Sequence, residues 1–560
     1  MVIDKIIFLV IIILKIFLFP TSQSTDFEVH RNWKAITNSL PISDWYFYSD
    51  NKWTLDYPPL FAYMEYILGK ISKIIELNIT NLGNFNYNSL ICKIFMRATV
   101  LIGDFFLFLS IRYLYKNTNI SFKKYLILLF SIQFYAGLVI IDNMHFQYNG
   151  ILFGLFFLSL GFIAKKKYIY AAILYSICLC MKHIFIYFSP AYFIFYFQYI
   201  IINNFQKKKY KTLIINVVLI GLGICTVFLI AFLPFIVISI KEKNLSQLIQ
   251  IKNRLFPVQR GLLHTYWAPN FWAIYSFIDK ILYFANSYLS TKFSLIGKIC
   301  SFLLKFKNNE NSLDKKNTSS LGASESGVSQ VTGFDVMPDI NMKITNLIII
   351  SFILLYYLKY FFEKYKNKKT NIKNNKINEF IKHCIFSNLI FFNFGYQVHE
   401  KAFLNISILT LIYYVISSDD KKNNIVVQNN KYYDILKSLS SIIVVIGISA
   451  QLPLIHEPKD YLVKVFLTLS YIFICKSLVF NKKDINSYRV VMMVILIFIM
   501  YILVLDFFIT FQNSFDYEID FPGITELEDI KEKYPFLFLM FYSVFNAVFT
   551  QFIFILLFIF

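Results

Sequence analysis

Apolar runs of bilayer length recur along this chain, divided by short lysine-rich breaks, and no other feature restricts its fold so strongly. About 20 apolar residues span a hydrocarbon core as a helix, since inside lipid each backbone N–H and C=O must be satisfied within its own segment. Runs at about 4–20, 91–114, 124–141, 149–164, 168–182, 184–202, 212–238, 344–362, 378–394, 402–417, 433–453, 460–480 and 488–510, with the stretch beyond 535, fit that description. The sequence therefore predicts an all-α polytopic membrane protein of about 14 transmembrane helices. Lysines cluster at 116–124, 165–167, 207–209, 364–376, 421–422 and 482–483, and the positive-inside rule makes these breaks cytoplasmic. A net charge of +21 could suggest nucleic acid, but lysines scattered through short interhelical loops exclude that partner. The bilayer is the expected partner, with both termini cytoplasmic. Residues 4–20 read as a retained signal anchor, because Thr21-Ser22-Gln23 is a poor cleavage site and Asp4 spoils a charged start.

The chain reads as one integral-membrane domain, 1–560. Its loop 21–90 lies on the far, luminal side and includes an amphipathic helix at 60–77 laid on the membrane surface. Residues 239–343 form a second long luminal excursion, in which 271–288 and 293–306 are membrane-apposed. This excursion holds a flexible polar insert at 308–339 with the acceptor sequon Asn317-Thr318-Ser319. A further luminal loop, 511–535, is acidic.

On this topology four unusual polar clusters reach one face: 24–59, 142–149, 254–272 and 396–401. Polar groups gathered at helix ends are costly unless they line a shared cavity. The first cluster holds Asp26, Glu28, Asp44, Asp50 and Asp56 together with Trp33, Trp45 and Trp53, three of the chain's five tryptophans. Acids among indoles suit a carbohydrate site, although tryptophan also favours any membrane interface. Arg254 and Arg260, near His264, Tyr266 and Trp267, could clamp a phosphate bidentately or merely hold lipid headgroups. His145 beside Asp142, and His399 beside Glu400 and Lys401, sit at helix ends, where a histidine is often structural. No spacing of His, Cys or Asp indicates a metal, no cofactor is expected, and the seven cysteines form no disulfide framework. Arg97, Asp104 and Asp506 lie inside apolar runs and fit helix-packing pairs. There is no P-loop, Rossmann or G-x-S-x-G signature.

Transfer of a sugar from a lipid phosphate to a hydroxyl needs one general base, and the phosphate leaves as a stabilised anion. One critical carboxylate plus a basic clamp is the signature to expect. Asp26 is the candidate base, and Asp56, before the rigid Tyr57-Pro58-Pro59, is its rival as base or as an acceptor-orienting group.

At these residues the chain resembles the endoplasmic-reticulum glucosyltransferases of the lipid-linked oligosaccharide pathway, of the polytopic GT-C class. The matching motifs are Asp26-Phe27-Glu28 through Arg31-Asn32-Trp33, Leu55-Asp56-Tyr57-Pro58-Pro59, His145-Phe146-Gln147-Tyr148-Asn149, Arg254-Leu255-Phe256-Pro257 with Arg260-Gly261-Leu262, and Val398-His399-Glu400-Lys401. The runs Ser24–Trp33 and His264–Trp272 look like the enzyme adding the second glucose rather than the first. The resemblance implies a GT-C fold and an inverting reaction in the endoplasmic-reticulum membrane, with a luminal active site. It also implies a dolichyl-phosphate-glucose donor and a dolichyl-diphosphate-linked Glc1Man9GlcNAc2 acceptor, extended in α-1,3 linkage. The family's proposed base maps onto Asp26. Arg254, Arg260, His264, His399 and Lys401 are then expected at the donor phosphate, and Glu28, Arg31, Trp33, Tyr57, His145, Gln147, Tyr266 and Trp267 around the sugars. The same-class alternative is the first-glucose enzyme acting on Man9GlcNAc2. The different-class alternative is a polytopic transporter, which predicts internal repeats and mid-span charges.

Overall fold

The computed structural model describes residues 2–257, 261–264, 268–289, 334, 336–366, 376–417, 431–478, 488–511 and 537–559. Among these the regular secondary structure is helical, apart from one isolated parallel bridge between Leu263 and Val398. The helices are α1 (Val2–Ile16), α2 (Thr25–Ser39), α3 (Pro59–Ile75), α4 (Leu90–Lys116), α5 (Phe122–Gln133), α6 (Asn149–Ala164), α7 (Tyr168–Met181), α8 (Ser189–Tyr196) and α9 (Tyr210–Lys241). They continue as α10 (Ser246–Leu255), α11 (Phe271–Leu289), α12 (Met342–Lys366), α13 (Lys376–Phe394), α14 (Phe403–Ser417), α15 (Lys431–Ser449), α16 (Tyr461–Leu478), α17 (Tyr488–Phe511) and α18 (Leu537–Ile559). Residues 308–333 and 335 of the insert 308–339, the sequon at Asn317, the run 293–306 and residues 512–535 of the acidic loop 511–535 lie outside the described residues.

Among the described residues, seven helical stretches are long and apolar enough to cross a membrane: Leu90–Lys116, Phe122–Met144, His183–Gln206, Tyr210–Lys241, Met342–Lys364, Glu400–Ser417 and Phe538–Ile559. Shorter apolar helices occupy Asn149–Ala164, Tyr168–Met181, Leu439–Leu454 and Ile499–Thr510. The chain is a multi-pass, all-α membrane protein.

The apolar runs coincide with helices, 149–164 residue for residue. Two of them are broken rather than continuous. The run expected at 124–141 starts at Phe122, stops at Gln133, makes one turn at Ala136–Leu138 and widens into a π-turn over Val139–Met144. The run at 184–202 opens as a 3-10 turn over His183–Phe188 and ends in a π-turn over Phe197–Ile202. Such irregular backbone is tolerated at membrane depth where protein surrounds it.

Helices α4 and α6 pack closely because Gly103 meets Gly150. A Cβ on Gly150 would lie 3.1 Å from the Gly103 carbonyl carbon and 3.2 Å from its oxygen. The charged residues inside the apolar runs find partners other than one another. Asp104 accepts Lys15 Nζ at 2.6 Å, and Asp506 accepts Lys464 Nζ at 2.9 Å. The Arg97 guanidinium donates to the carbonyl oxygens of Leu18, Phe19, Thr21 and Ser22 and to the Thr21 hydroxyl, which holds the exit of α1. Helix α3 turns Phe61, Ala62, Glu65, Gly69 and Ser72 toward the protein and leaves Ile67, Ile71, Ile74 and Ile75 exposed. Its apolar face therefore points outward, as a helix resting on lipid requires.

Candidate active site

The chain leaves α1 through Arg97 and enters α2 at the Ser24 cap, whose hydroxyl accepts Phe27 N–H at 3.2 Å and donates to the carbonyl of His145. Asp26 thus sits in the first turn of α2, where the positive end of the helix favours an anion. Three groups converge on one of its oxygens, Oδ2. Lys401 Nζ and Gln147 Nε2 each donate at 2.7 Å, and His145 Nε2 stands 3.4 Å away. Among the described residues no hydrogen bond reaches Oδ1. Burial alone would raise this carboxyl, but Lys401 and His145 outweigh it and hold it well below the usual carboxylate range.

The segment carrying His145 and Gln147 is an inward-folded turn, with Asp142, Asn143, His145, Gln147 and Asn149 all buried. Phe146, at its centre, adopts φ 77°, a left-handed conformation that a bulky residue rarely takes. Its ring packs 5.2 Å from Phe27 and 5.3 Å from Tyr148, and that packing holds the two flanking side chains toward Asp26. Asp142 anchors the turn by accepting Gly150 N–H at 2.8 Å and Asn149 Nδ2 at 2.7 Å.

The 396–401 turn docks against the second long excursion. Gln397 N–H donates to Leu262 O at 2.8 Å, and Trp272 Nε1 donates to Gly395 O at 2.9 Å. This brings His264 over His399, with ring centroids 3.5 Å apart. Glu400 accepts His399 Nδ1 at 2.8 Å and lies 3.8 Å from His264 Nδ1. Burial pushes both imidazoles down, His264 to about 3. His264, His399 and Glu400 could together offer three ligand atoms to a cation. The Lys401 ammonium bears on both rings, however, and favours an anion at this point. The four polar clusters therefore do meet around Asp26 and Lys401.

Several residues expected at the ligands are committed to the loop itself. Arg31 and Glu28 form a bidentate pair at 2.8 and 2.5 Å, and Arg31 also donates to Ile79 O at 3.0 Å. Trp33 is 2% exposed, donates to Thr54 O at 2.9 Å and packs against Tyr57, 4.9 Å between centroids. All three are buried, with these polar atoms bonded inside the protein. Arg254 is not aimed at a phosphate either: Nε donates to Tyr46 O at 2.9 Å and Nη2 to Tyr48 O at 3.2 Å, which ties α10 to the first loop. Arg260, Tyr266 and Trp267 lie outside the described residues. Asp56 acts electrostatically on Tyr57 and on Lys182, at the rim of the same site.

The sequence reading missed the layer beneath Asp26. Glu65, wholly buried, accepts Lys34 Nζ at 2.6 Å and pairs with His30 Nδ1 at 2.7 Å. Burial opposes both charges, yet mutual attraction wins, raising Lys34 and lowering Glu65. Lys34 also donates to Tyr148 Oη at 3.2 Å, so α2, α3 and the 142–149 turn share one network. Lys182, the last residue of the apolar run 168–182, donates to Gln147 Oε1 and Asn149 Oδ1. A lysine at the end of α7 opposite the lysine-rich break 165–167 runs against positive-inside placement, and that exception is the available signal.

The ALG6, ALG8 glycosyltransferase family matches residues 11–557. A Kluyveromyces lactis protein named dolichyl pyrophosphate Glc1Man9GlcNAc2 alpha-1,3-glucosyltransferase is 32% identical, over 96% of this chain and 90% of its own. Proteins of the same name from Saccharomyces cerevisiae and Candida glabrata are 34% and 32% identical. They cover 70% and 82% of this chain, and 66% and 78% of their own. With a site assembled from distant stretches of the chain and a family match along nearly its whole length, this protein belongs to the ALG6, ALG8 glycosyltransferase family.

Proposed function

We propose that the protein transfers glucose from dolichyl-phosphate-glucose to dolichyl-diphosphate-linked Glc1Man9GlcNAc2, forming the second α-1,3 glucosidic bond. The observation that carries this reading is the state of Asp26, with one oxygen held by Lys401 and Gln147 and the other without a hydrogen bond among the described residues. The acceptor 3-hydroxyl attacks glucose C1 from the face opposite the phosphate while Asp26 Oδ1 takes its proton. The C1–O bond breaks toward phosphorus, and dolichyl phosphate leaves with the bonding pair. Inversion of the β-linked donor gives the α product. A carboxylate held as low as Asp26 is a weak base while Lys401 pairs with it. Donor phosphate drawing Lys401 toward itself would raise the basicity of Asp26 as the complex forms.

His399, His264 and Lys401 lie on the phosphate side of this scheme, and His145, Gln147 and Tyr57 on the sugar side. The names of the relatives support the second glucose over the first. The multi-pass helical architecture supports a GT-C fold, and the fourteen apolar runs with their lysine-rich breaks support about 14 spans with the site facing the lumen of the endoplasmic reticulum. The test is transfer by the purified enzyme to two lipid-linked acceptors, Man9GlcNAc2 and Glc1Man9GlcNAc2. Glucose added only to the monoglucosylated acceptor supports the reading; glucose added to Man9GlcNAc2 makes this the first-glucose enzyme.

A further inference from the structure

Lys182 follows the last turn of α7, where the backbone turns extended at φ −147°, ψ 113° and carries its side chain into the site. Its ammonium donates to Gln147 Oε1 at 2.9 Å and Asn149 Oδ1 at 3.1 Å, and lies 5.3 Å from the centroid of the Tyr57 ring. The carboxylates of Asp142, Asp26 and Asp56 and the ammonium of Lys401 all act on it electrostatically. Among the described residues, none of those carboxylates comes within ion-pair distance. The fully buried lysines behave differently, since Lys15, Lys34 and Lys464 each bond a carboxylate directly, at 2.6, 2.6 and 2.9 Å. A cation removed in part from water and compensated only by amide oxygens and a ring face is costly, unless an anion completes its surroundings.

The reaction supplies such an anion and also requires a second cation. The donor is a phosphodiester with one negative charge, and the departing dolichyl phosphate carries two. One charge therefore develops on the phosphate as the C1–O bond breaks. Lys401 also pairs with Asp26, so this one ammonium cannot balance both charges of the leaving phosphate. Lys182 stands on the other side of Gln147, whose Nε2 donates to Asp26 while its Oε1 accepts from Lys182. This amide keeps the cation next to the base without letting the two collapse into a pair.

We propose that Lys182, which enters from the side of Gln147 and Tyr57 and so faces the junction of glucose and phosphate, is a second cation of the donor-phosphate site and stabilises the charge that develops on the leaving phosphate. The inference rests on Asp26 being the base. The test uses the full-length enzyme in detergent with Lys182→Met, Lys182→Gln and Lys182→Arg, and measures kcat, donor KM and inhibition by a short-chain dolichyl phosphate analogue. Removing the charge is expected to lower kcat by about 100-fold, the usual loss for one group that stabilises developing negative charge. Inhibition by the dianionic analogue should weaken by more than donor KM rises, and Lys182→Arg should retain part of both. Wild-type kcat and inhibition in Lys182→Gln would overturn the proposal. So would a loss confined to folded yield, with the ratio of inhibition constant to donor KM unchanged. Asp26→Asn is measured alongside. If it stays active the base reading fails, whereas a dead Asp26→Asn beside a normal Lys182→Gln sinks only this inference.

Discussion

Replacing Asp26 by Asn keeps the shape of the side chain and removes its ability to take a proton. The amide oxygen still accepts from Gln147 and Lys401, the two groups that reach Oδ2 at 2.7 Å, so α2 keeps its place. Loss of a positioned general base lowers turnover by about 10²–10⁴-fold, or about 3–5.5 kcal/mol in the barrier. The stability cost is smaller. Breaking a fully buried ion pair costs about 3–5 kcal/mol, but Asp26 and Lys401 remain 18% and 10% exposed, so about 1–2 kcal/mol is expected. Donor affinity should hold or rise, because a neutral amide holds Lys401 less strongly than a carboxylate does and leaves it freer for the phosphate. Single-turnover transfer from dolichyl-phosphate-glucose reads the first effect, and donor-dependent thermal shift reads the other two. A folded Asp26→Asn enzyme with more than a tenth of wild-type turnover would refute the assignment, and Asp56→Asn would then be the variant to examine. Donor binding weakened tenfold would instead show that the Asp26–Lys401 pair, not Lys401 alone, builds the phosphate site.

Lys34→Met and Glu65→Leu should each lower stability by about 3–5 kcal/mol by stranding a buried charge, while the double variant recovers much of that loss; thermal unfolding of the four proteins measures the coupling. Trp33→Phe and Arg254→Ala should lower the melting temperature through lost bonds to Thr54 O, Tyr46 O and Tyr48 O, and leave acceptor and donor KM of the folded fraction near wild type. Burial pushes Lys182 down to about 8, so its charge is present below that pH and lost above it. Accordingly, kcat/KM for the donor should fall toward tenfold per pH unit above about 8, and Lys182→Arg should abolish that fall in a pH–rate profile.

The helices were legible because lipid tolerates so few backbone solutions that an apolar run nearly dictates its own structure. Segment 149–164 shows this, ending where Lys165 begins. The segments that misled are those where the chain breaks inside protein rather than at the membrane edge, as at Gln133 and Met144, since periodicity does not report what surrounds a helix. Asp26 was legible as the head of a motif, but Lys401 lies 375 residues away and Lys182 contacts it only through Gln147. The aromatic and basic residues of α2 misled for a specific reason. Its sequence is polar, and a polar helix reads as solvated. Yet His30, Arg31, Asn32, Trp33 and Lys34 are all buried, each satisfied by a partner on α3 or in the loops. Trp33 is core in a helix that does not look like core.

The pairing of Lys15 with Asp104 also bears on how the molecule is made. These residues are 89 positions apart, so a ribosome delivers the lysine of α1 to the membrane well before α4 supplies its partner. A lone lysine in an apolar helix costs about 2.5–3.5 kcal/mol at the helix centre on insertion scales and less in a last turn, where Lys15 lies. Until α4 arrives, α1 is best kept at the insertion machinery or displaced toward the interface, and it is drawn to its final depth when Asp104 emerges. Lys464 and Asp506 repeat the arrangement near the other end of the chain. If helix pairs joined in this way enter lipid as units, translation order would set the sequence in which the bundle closes. A substitution at Asp104 would then show itself first as α1 misplaced or degraded during synthesis, before any enzyme exists to assay.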